Sequence, residues 1–264
     1  MSKLQLFQVD AFSSRLFGGN PAAVVPLISW LPDDLMQSIA AENNLAETAF
    51  FVLEGERYGL RWFTPTAEVK LCGHATLATA HVLFTALEPE RREVRFDTLS
   101  GELTVGRAAE GLVMDFPRWE LEPLATPPSG LTEALGMPPE EVLITSTADN
   151  LFAVFYDESE IRALEPDMRR LAALHPAGVV ATARGRRSDC VCRYFAPSYG
   201  IEEDSATGSI HCGLAPLWSA RLGKPQIHSL QLSKRGAELF CELRDSRILI
   251  TGQAVTYMEG WIDV

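Results

Sequence analysis

The chain has 264 residues, of which 47% are hydrophobic and 22% charged, and its formal net charge is −12 at pH 7. This composition predicts a soluble globular protein with one large core or two modest ones, and the acidic balance argues against a nucleic-acid partner, which needs clustered Lys and Arg. A small anionic substrate remains compatible with it, because such a molecule responds to the local field of its pocket.

The chain also lacks the patterns of a membrane or secreted protein. No apolar run approaches the roughly 20 residues of a membrane-spanning helix, and the N-terminus has no basic-then-apolar signal layout. The five cysteines are an odd number without Cys-x-x-Cys pairs, which is typical of reduced cytosolic thiols. We therefore expect a cytoplasmic protein with no membrane partner.

The first half of the chain predicts strands and two helices. Strands are expected over 4–12, 22–27, 47–53, 58–63, 94–96, 102–105 and 112–116. A helix is expected to begin at Pro32 and to end at Asn43. The segment 73–87 is apolar on every side, which predicts a second helix that lies inside a domain with strands around it.

A proline-rich stretch over 117–130 is the best linker candidate. It predicts an N-terminal lobe over 1–119 and a C-terminal lobe over 120–264, with the C-terminal residues free to pack back on the first lobe. In the second half, strands are expected over 142–145, 152–156, 179–182 and 190–195, and helices over 167–174 and 206–222. This order predicts an α+β fold in two similar lobes and not a doubly wound sheet.

Two stretches of the chain resemble each other. RWFTPT at 61–66, followed by CGHAT at 72–76, is echoed by RYFAPS at 193–198, followed by DSATGS at 204–209. Other blocks repeat in the same order, which indicates an internal duplication. Each copy leads to a polar, glycine-bearing turn at a predicted helix start, where free N–H groups and the helix dipole attract anions. The pattern predicts one anion site between two halves.

Several side chains near these turns could carry chemistry. Glu47 lies among small and apolar residues where a strand begins, and partial burial would raise its pKa and suit it to proton transfer. Cys72 and Asp204 fall the same distance after the two prolines, and a helix start would lower the pKa of the Cys72 thiol. Asp204 is also a candidate for an ordinary N-cap, and Ser209 can add a hydroxyl donor.

Other polar residues carry weaker signals. His74 and His81 share one helix face, and His211 lies on the matching helix, but without a compact set of ligands the sequence predicts no metal site. Asp189 and Arg193 are expected to form a structural ion pair.

Six motifs taken in order resemble the phenazine biosynthesis PhzF-like family. They are FQVDAF at 7–12, GGNPAAV at 18–24, LAETAF at 45–50, RWFTP at 61–65, CGHAT at 72–76 and DSATGS at 204–209. The resemblance implies a fold similar to that of diaminopimelate epimerase: two pseudo-symmetric lobes, each a barrel-like β-sheet around a central helix. It further implies a homodimer and chemistry without metal or organic cofactor.

The resemblance also implies roles for individual residues. In the isomerase that names the family, a glutamate moves a proton between ring carbons of dihydro-3-hydroxyanthranilate, and that glutamate corresponds to Glu47. The residues expected to be catalytic are Glu47, Asp204, His74 and Cys72. Those expected to bind substrate are Gly73, Gly208, Ser209 and Asn20, with the glycines lending backbone N–H groups.

The expected function is that of a cofactor-independent isomerase that moves a proton between carbons of a small carboxylate-bearing substrate. Two alternatives stay open. Epimerases with this fold carry a thiol at each of two helix starts, so Cys72 and Asp204 could form the two bases of a racemase or epimerase. The chain could also be a non-catalytic protein that binds a metabolite or a partner.

Overall fold

The computed structural model describes residues 3–145, 150–174 and 178–264. Its strands are β1 (Lys3–Ala11), β2 (Asn20–Leu27), β3 (Glu47–Glu54), β4 (Arg57–Phe63), β5 (Glu68–Val69), β6 (Glu93–Thr98), β7 (Gly101–Ala108), β8 (Gly111–Pro117), β9 (Glu122–Pro123), β10 (Glu141–Ile144), β11 (Asn150–Val154), β12 (Gly178–Arg184), β13 (Cys190–Ala196), β14 (Ile201–Asp204), β15 (Gln226–Gln231), β16 (Ala237–Arg244), β17 (Arg247–Gly252) and β18 (Ala254–Asp263). Its helices are α1 (Asp33–Asn43), α2 (Gly73–Val82), α3 (Leu131–Leu135), α4 (Glu158–Ala163), α5 (Met168–Leu174) and α6 (His211–Leu222). A π-helical turn (Leu83–Leu87) continues α2, and a 3-10 turn (Pro197–Tyr199) follows β13.

The chain divides into two compact units. The first unit comprises Met1–Asp115 and Ile250–Val264, and the second comprises Phe116–Leu249. The last strand, β18, therefore belongs to the first unit. Among the described residues, no helix is both long and apolar enough to cross a membrane.

The sheet of the first unit surrounds α2. Its strands follow the order β18, β1, β2, β3, β4, β6, β7, β8, and the β2–β3 and β4–β6 pairs are parallel. α2 packs against β1, β2, β3 and β18, and nearly all of its side chains are buried. On the opposite face, α1 buries Met36 and Ile39 against a core that includes Val25 and Phe50. Because both faces are covered, β2 and β3 are continuous apolar runs.

The second unit repeats this arrangement. Its strands follow the order β9, β10, β11, β12, β13, β15, β16, with parallel β11–β12 and β13–β15 pairs. The short strand β14 pairs with β13, as β5 pairs with β4. α6 is the buried counterpart of α2 and contacts β15 and β16. The prediction of an α+β fold with two similar lobes is confirmed.

Two details of the helices differ from the prediction. The last helix begins at His211 and not near Ala206, because the residues before it form a tight turn with i→i+3 hydrogen bonds, such as His211 N to Gly208 O at 3.0 Å. In addition, α3 and α4 are short helices that the sequence patterns did not predict. Both contribute buried residues to the apolar core of the second unit.

Candidate active site

Four of the candidate site residues lie together in the first unit. Asn20 begins β2, Glu47 begins β3, and His74 is the second residue of α2, after the N-cap Cys72. Because β2 and β3 are parallel, with Ala22 opposite Glu47, both strands begin at the same edge of the sheet. α2 packs against both strands, and its first turn meets them at that edge.

His74 is the centre of this cluster. Its Nε2 atom lies 3.0 Å from Glu47 Oε2. Its Nδ1 atom lies 3.2 Å from Asn20 Nδ2 and 3.5 Å from Cys72 Sγ. All four residues are buried, with 6% of His74 and 9% of Glu47 exposed. An imidazole, a carboxylate, a thiol and an amide from three separate segments thus share one small buried volume.

Two atoms of the cluster have unused hydrogen-bonding capacity. Glu47 Oε2 and His74 Nε2 are buried, and neither has a hydrogen-bond partner among the residues that the structure describes. Their 3.0 Å separation is an ion-pair distance, but its angles do not meet those of a hydrogen bond. The two charges stabilise each other at this distance, but neither atom takes part in a well-aligned hydrogen bond. These two atoms are therefore suited to receive a ligand.

Charge governs the protonation of the pair. Burial raises the pKa of Glu47, but the neighbouring charge of His74 outweighs it and holds that pKa below its usual value. Burial likewise lowers the pKa of His74, yet its contacts with Cys72 and with the Glu47 carboxylate raise it well above its usual value. The stable form at neutral pH is a carboxylate beside an imidazolium. The predicted rise in the pKa of Glu47 is wrong, because the prediction considered burial but not the positive charge of His74.

The imidazolium form of His74 also determines which atom of the Asn20 amide faces the ring. A doubly protonated imidazole donates from both ring nitrogens, so Nδ1 of His74 requires an acceptor. A half-turn of the Asn20 amide exchanges Nδ2 for Oδ1 at the same place and provides that acceptor. Asn20 can therefore orient the ring and stabilise its charge.

The Cys72 thiol is neutral in this environment. Burial raises its pKa, and the negative charge of Glu47 adds to the effect, while His74 opposes both. The expectation that a helix start lowers the pKa of this thiol is therefore wrong. Burial and an adjacent carboxylate outweigh the helix dipole here.

Backbone geometry holds two of these residues in place. Gly19 has a φ of +61°, and a Cβ atom there would lie 2.0 Å from the carbonyl oxygen of Ala11. Only glycine fits such a position, so Gly19 determines how the chain enters Asn20. Gly73 is the first residue of α2, and its N–H belongs to the first turn of the helix, which has no intrahelical acceptors.

The remaining candidates lie in the second unit. Asp204 is the last residue of β14, and Gly208 and Ser209 form the turn that precedes α6. Thr207 donates through Oγ1 to Asp204 Oδ2 at 2.5 Å and through its backbone N–H to Gln231 Oε1 at 2.8 Å. Gln231 Nε2 in turn donates to the Asp204 carbonyl at 2.8 Å. This network fixes the turn.

An arginine–glutamate brace is duplicated in the two units. In the first, Arg61 makes a bidentate contact with Glu68 at 2.7 and 2.8 Å. In the second, Arg193 makes the same contact with Glu203 at 2.8 and 3.0 Å. The two residues of the pair are 7 positions apart in the first unit and 10 in the second. The 3-10 turn (Pro197–Tyr199) lies in the longer segment.

The Arg–Glu separation is three residues longer in the second unit (10 − 7), so equivalent positions after the glutamate lie three residues further along the chain there. Cys72 follows Glu68 at the same distance at which Thr207 follows Glu203. Cys72 therefore corresponds to Thr207 and not to Asp204. A second contact agrees: Thr76 Oγ1 donates to the Cys72 carbonyl at 2.6 Å, and His211 Nδ1 lies 2.9 Å from the Thr207 carbonyl. The pairing of Cys72 with Asp204 by distance from the prolines is therefore wrong.

Two buried polar residues of the second unit were not predicted to support the turn. Besides its contact with Thr207, His211 places Nε2 2.9 Å from Ser229 Oγ, and Gln231 bonds to the turn itself. A signal was present on β15, where Ile227, Ser229 and Gln231 occupy alternate, inward positions. A polar residue at an inward position of a strand indicates a buried hydrogen-bond network.

The structure separates the predicted Asp189–Arg193 pair. Arg193 contacts Glu203, whereas Asp189 forms an ion pair with Lys224 at 2.6 Å and accepts from His228 N at 2.8 Å. That prediction is wrong, because Arg193 pairs with the neighbouring strand β14.

One set of side chains among the described residues has the donor types of a metal site. Glu47, Cys72 and His74 each offer one ligand atom, and these atoms lie within 4.8 Å of one another. The other histidines considered from the sequence contact hydroxyls, as His81 does with Thr256 at 3.0 Å. The absence of a metal requirement stays a prediction.

Comparison with known proteins places the chain in a family. A family model described as phenazine biosynthesis-like protein matches residues 9–260. An uncharacterized isomerase of Pseudomonas aeruginosa is 51% identical over 258 residues, which cover 98% of each chain. The crystal structure of a PhzF-family phenazine biosynthesis protein from Enterococcus faecalis aligns with a TM-score of 0.95 and 41% identity over 100% of both chains.

A more distant structure shares the fold alone. A hydroxyproline epimerase from Agrobacterium vitis aligns with a TM-score of 0.61 and 13% identity over 99% of this chain and 91% of its own. The resemblance inferred from the six motifs is confirmed by the match over nearly the whole chain. The chain therefore belongs to the phenazine biosynthesis-like PhzF family.

Proposed function

We propose that the protein is a cofactor-independent isomerase in which Glu47 and His74 move a proton between carbons of a small carboxylate-bearing substrate. The observation that carries this proposal is the buried Glu47–His74 pair, whose facing atoms lie 3.0 Å apart and have no hydrogen-bond partners among the described residues. The isomerase names of relatives that match almost the whole chain also support it.

The two residues of the pair have different roles in the proton transfer. Glu47, a carboxylate beside the imidazolium, takes a proton from a C–H bond of the substrate and returns it to another carbon. The positive charge of His74 stabilises the negative charge that develops on the substrate between these steps. General acid–base catalysis by one positioned group contributes about 10²–10⁴ in rate. Burial strengthens both effects because water is excluded.

The first turn of α2 suits the carboxylate of such a substrate. Gly73 carries no side chain that would block its N–H, and the positive end of the helix dipole attracts anions. Asp204, Gly208 and Ser209 keep the substrate-contacting or proton-handling roles that the family resemblance implies, as predictions. The two-base alternative with Cys72 and Asp204 stays a prediction, although the two residues do not occupy equivalent positions in the two units.

Hydrogen exchange at carbon tests the proposal. The protein is incubated in D₂O with a panel of small carboxylic acids that carry an acidified C–H bond, including dihydro-3-hydroxyanthranilate, and deuterium incorporation is followed by NMR. We expect incorporation into at least one acid, and Glu47→Gln should lower its rate by about 10²–10⁴. Glu42→Gln, at an exposed position of α1, is the matched control and should keep the wild-type rate.

Three results would contradict the proposal. Wild-type exchange in the Glu47→Gln protein would remove that residue from the chemistry. Binding of an acid without exchange at any carbon would favour the non-catalytic alternative. Loss of exchange in Cys72→Ser, with inversion of the substrate centre in wild type, would return the two-base mechanism.

A further inference from the structure

We propose that Glu47, Cys72 and His74 form a binding site for a thiophilic divalent cation of the Zn²⁺ type, and that the bound cation inhibits the protein. The inhibitory part rests on the proposed function, since the cation would occupy the proton-transfer groups. The binding part does not depend on it.

The donor set carries the first part of the argument. The three residues offer a carboxylate oxygen, a thiol sulfur and an imidazole nitrogen, whose ligand atoms lie within 4.8 Å of one another. Zinc binds these donors at about 2.0–2.3 Å, which places donors of a tetrahedral site about 3.5 Å apart. Glu47 Oε2 and His74 Nε2 lie 3.0 Å apart, which is close to this spacing. Cys72 Sγ, which lies 3.5 Å from the other ring nitrogen, Nδ1, would have to move towards Nε2 to complete the site.

The unsatisfied atoms carry the second part. Glu47 Oε2 and His74 Nε2 are buried and have no hydrogen-bond partner within the described part of the chain. Coordination of a cation would satisfy the carboxylate oxygen and an imidazole nitrogen together. This observation is independent of the donor types, because a buried Glu and His with complete hydrogen bonds would have to break those bonds to coordinate a cation.

The charges select the cation. A doubly positive ion is neutralised by one carboxylate and one thiolate, so binding releases the thiol proton and the extra proton of the imidazolium to solvent. A thiol and an imidazole favour borderline and soft ions, whereas Mg²⁺ and Ca²⁺ require mostly oxygen ligands and find only one carboxylate here. Three protein ligands leave a fourth position for water, as in open zinc sites.

Cadmium titration of the full-length chain tests the binding. The protein is freed of metal with a chelator, kept reduced, and titrated with Cd²⁺ while the ultraviolet charge-transfer absorbance of the Cd–thiolate bond is recorded. We expect a band that saturates at one equivalent, and competition by Zn²⁺. Cys72→Ser should abolish the band and weaken Zn²⁺ binding at least tenfold in equilibrium dialysis.

Two further variants make the test decisive. Cys190→Ala removes a thiol that is buried in the second unit and should leave the band unchanged. Glu47→Gln keeps the thiol but should weaken Zn²⁺ binding about 10–100-fold, which covers the case in which Cys72→Ser does not fold. Absence of a saturable band in wild type, or an equal band in Cys72→Ser, would overturn the proposal.

Inhibition is measured separately. Zn²⁺ should stop deuterium exchange at carbon, and excess chelator should restore it. If Glu47→Gln retains full exchange in chelator while Cys72→Ser loses the cadmium band, the proposed function fails and the metal site stands. If exchange depends on Glu47 but no band forms, the metal site fails and the proposed function stands.

Discussion

At the scale of single residues, His74 determines the charge of the site. It contacts Glu47 through one ring nitrogen and Asn20 and Cys72 through the other. Its positive charge holds the pKa of Glu47 below the usual value despite burial. A carboxylate of this kind is ionised at neutral pH and so accepts a proton from substrate in the first step.

Asn20 is the residue whose role the geometry changes most. The family resemblance implies substrate contact, whereas the structure places its amide 3.2 Å from His74 Nδ1. Asn20→Ala should therefore release the imidazole ring and lower kcat roughly 10–100-fold, with a smaller change in KM, because misplaced catalytic groups lose rate rather than binding. The measurement is the concentration dependence of deuterium exchange for the acid that wild type accepts.

An opposite division of the effect would support the sequence-based expectation. If Asn20→Ala raises KM and leaves kcat unchanged, the amide binds substrate directly. Asn20→Asp provides a second comparison, because its carboxylate can still accept from His74 Nδ1. Recovery of kcat in that variant would identify the ring contact as the important one.

At the scale of elements, the site depends on where strands and helices begin. β2, β3 and α2 each contribute their first residues, and the turn before β2 is held by Gly19. A change in this turn should therefore affect both stability and the position of Asn20.

Two glycines with similar backbone angles allow a matched test of this turn. Gly19 (φ +61°) and Gly55 (φ +71°) both lie in the left-handed region, but a Cβ at Gly55 meets nothing within 4 Å, whereas one at Gly19 would lie 2.0 Å from a carbonyl oxygen. Gly55→Ala should lower the free energy of unfolding by about 1 kcal/mol, from backbone strain alone. Gly19→Ala should cost about 3 kcal/mol or more, because the clash adds to the strain.

Urea unfolding with circular dichroism measures both changes, and Cm at constant m reports the difference. Equal costs would show that the turn relaxes around a methyl group and that Gly19 does not constrain Asn20. A Gly19→Ala chain too unstable to purify, beside a stable Gly55→Ala chain, would agree with the expectation.

Element positions were largely predictable because they depend on local patterns. Caps, turns and apolar periodicity located α1, the start of α2 and the strands near Glu47 and Arg61. The late start of α6 was not predictable from the same signals. Gln231 holds Thr207 from 24 residues away, and such a contact overrides the preference of the local sequence.

At the scale of the whole molecule, duplication is the main regularity. Both units use the same series of parallel and antiparallel pairs, and both brace a short strand with a bidentate Arg–Glu contact. The sequence showed the repeat but not its register at the helix starts. The difference in spacing between Glu68 and Glu203 becomes evident only when their contacts with Arg61 and Arg193 are known.

The duplicated helix starts hold histidines of opposite character. Contacts with Cys72 and the Glu47 carboxylate raise the pKa of His74, whereas burial lowers the pKa of His211 to about 4 from a usual 6.5. His211 is therefore neutral in the native state between these two pH values, but protonated in the unfolded chain. Its contribution to stability is complete above about pH 6.5 and is lost as the pH falls through about 4.

The size of this effect follows from linkage. A shift of about 2.5 pKa units corresponds to roughly 3 kcal/mol, so the free energy of unfolding should fall by about that amount between pH 6.5 and pH 4. His211→Gln removes the titrating group, and the difference between wild type and variant isolates it from the carboxylates that titrate in the same range. Urea unfolding at a series of pH values gives both curves. Parallel curves would mean that His211 takes up its proton in the native state, and hence that the buried contacts with Thr207 and Ser229 open readily.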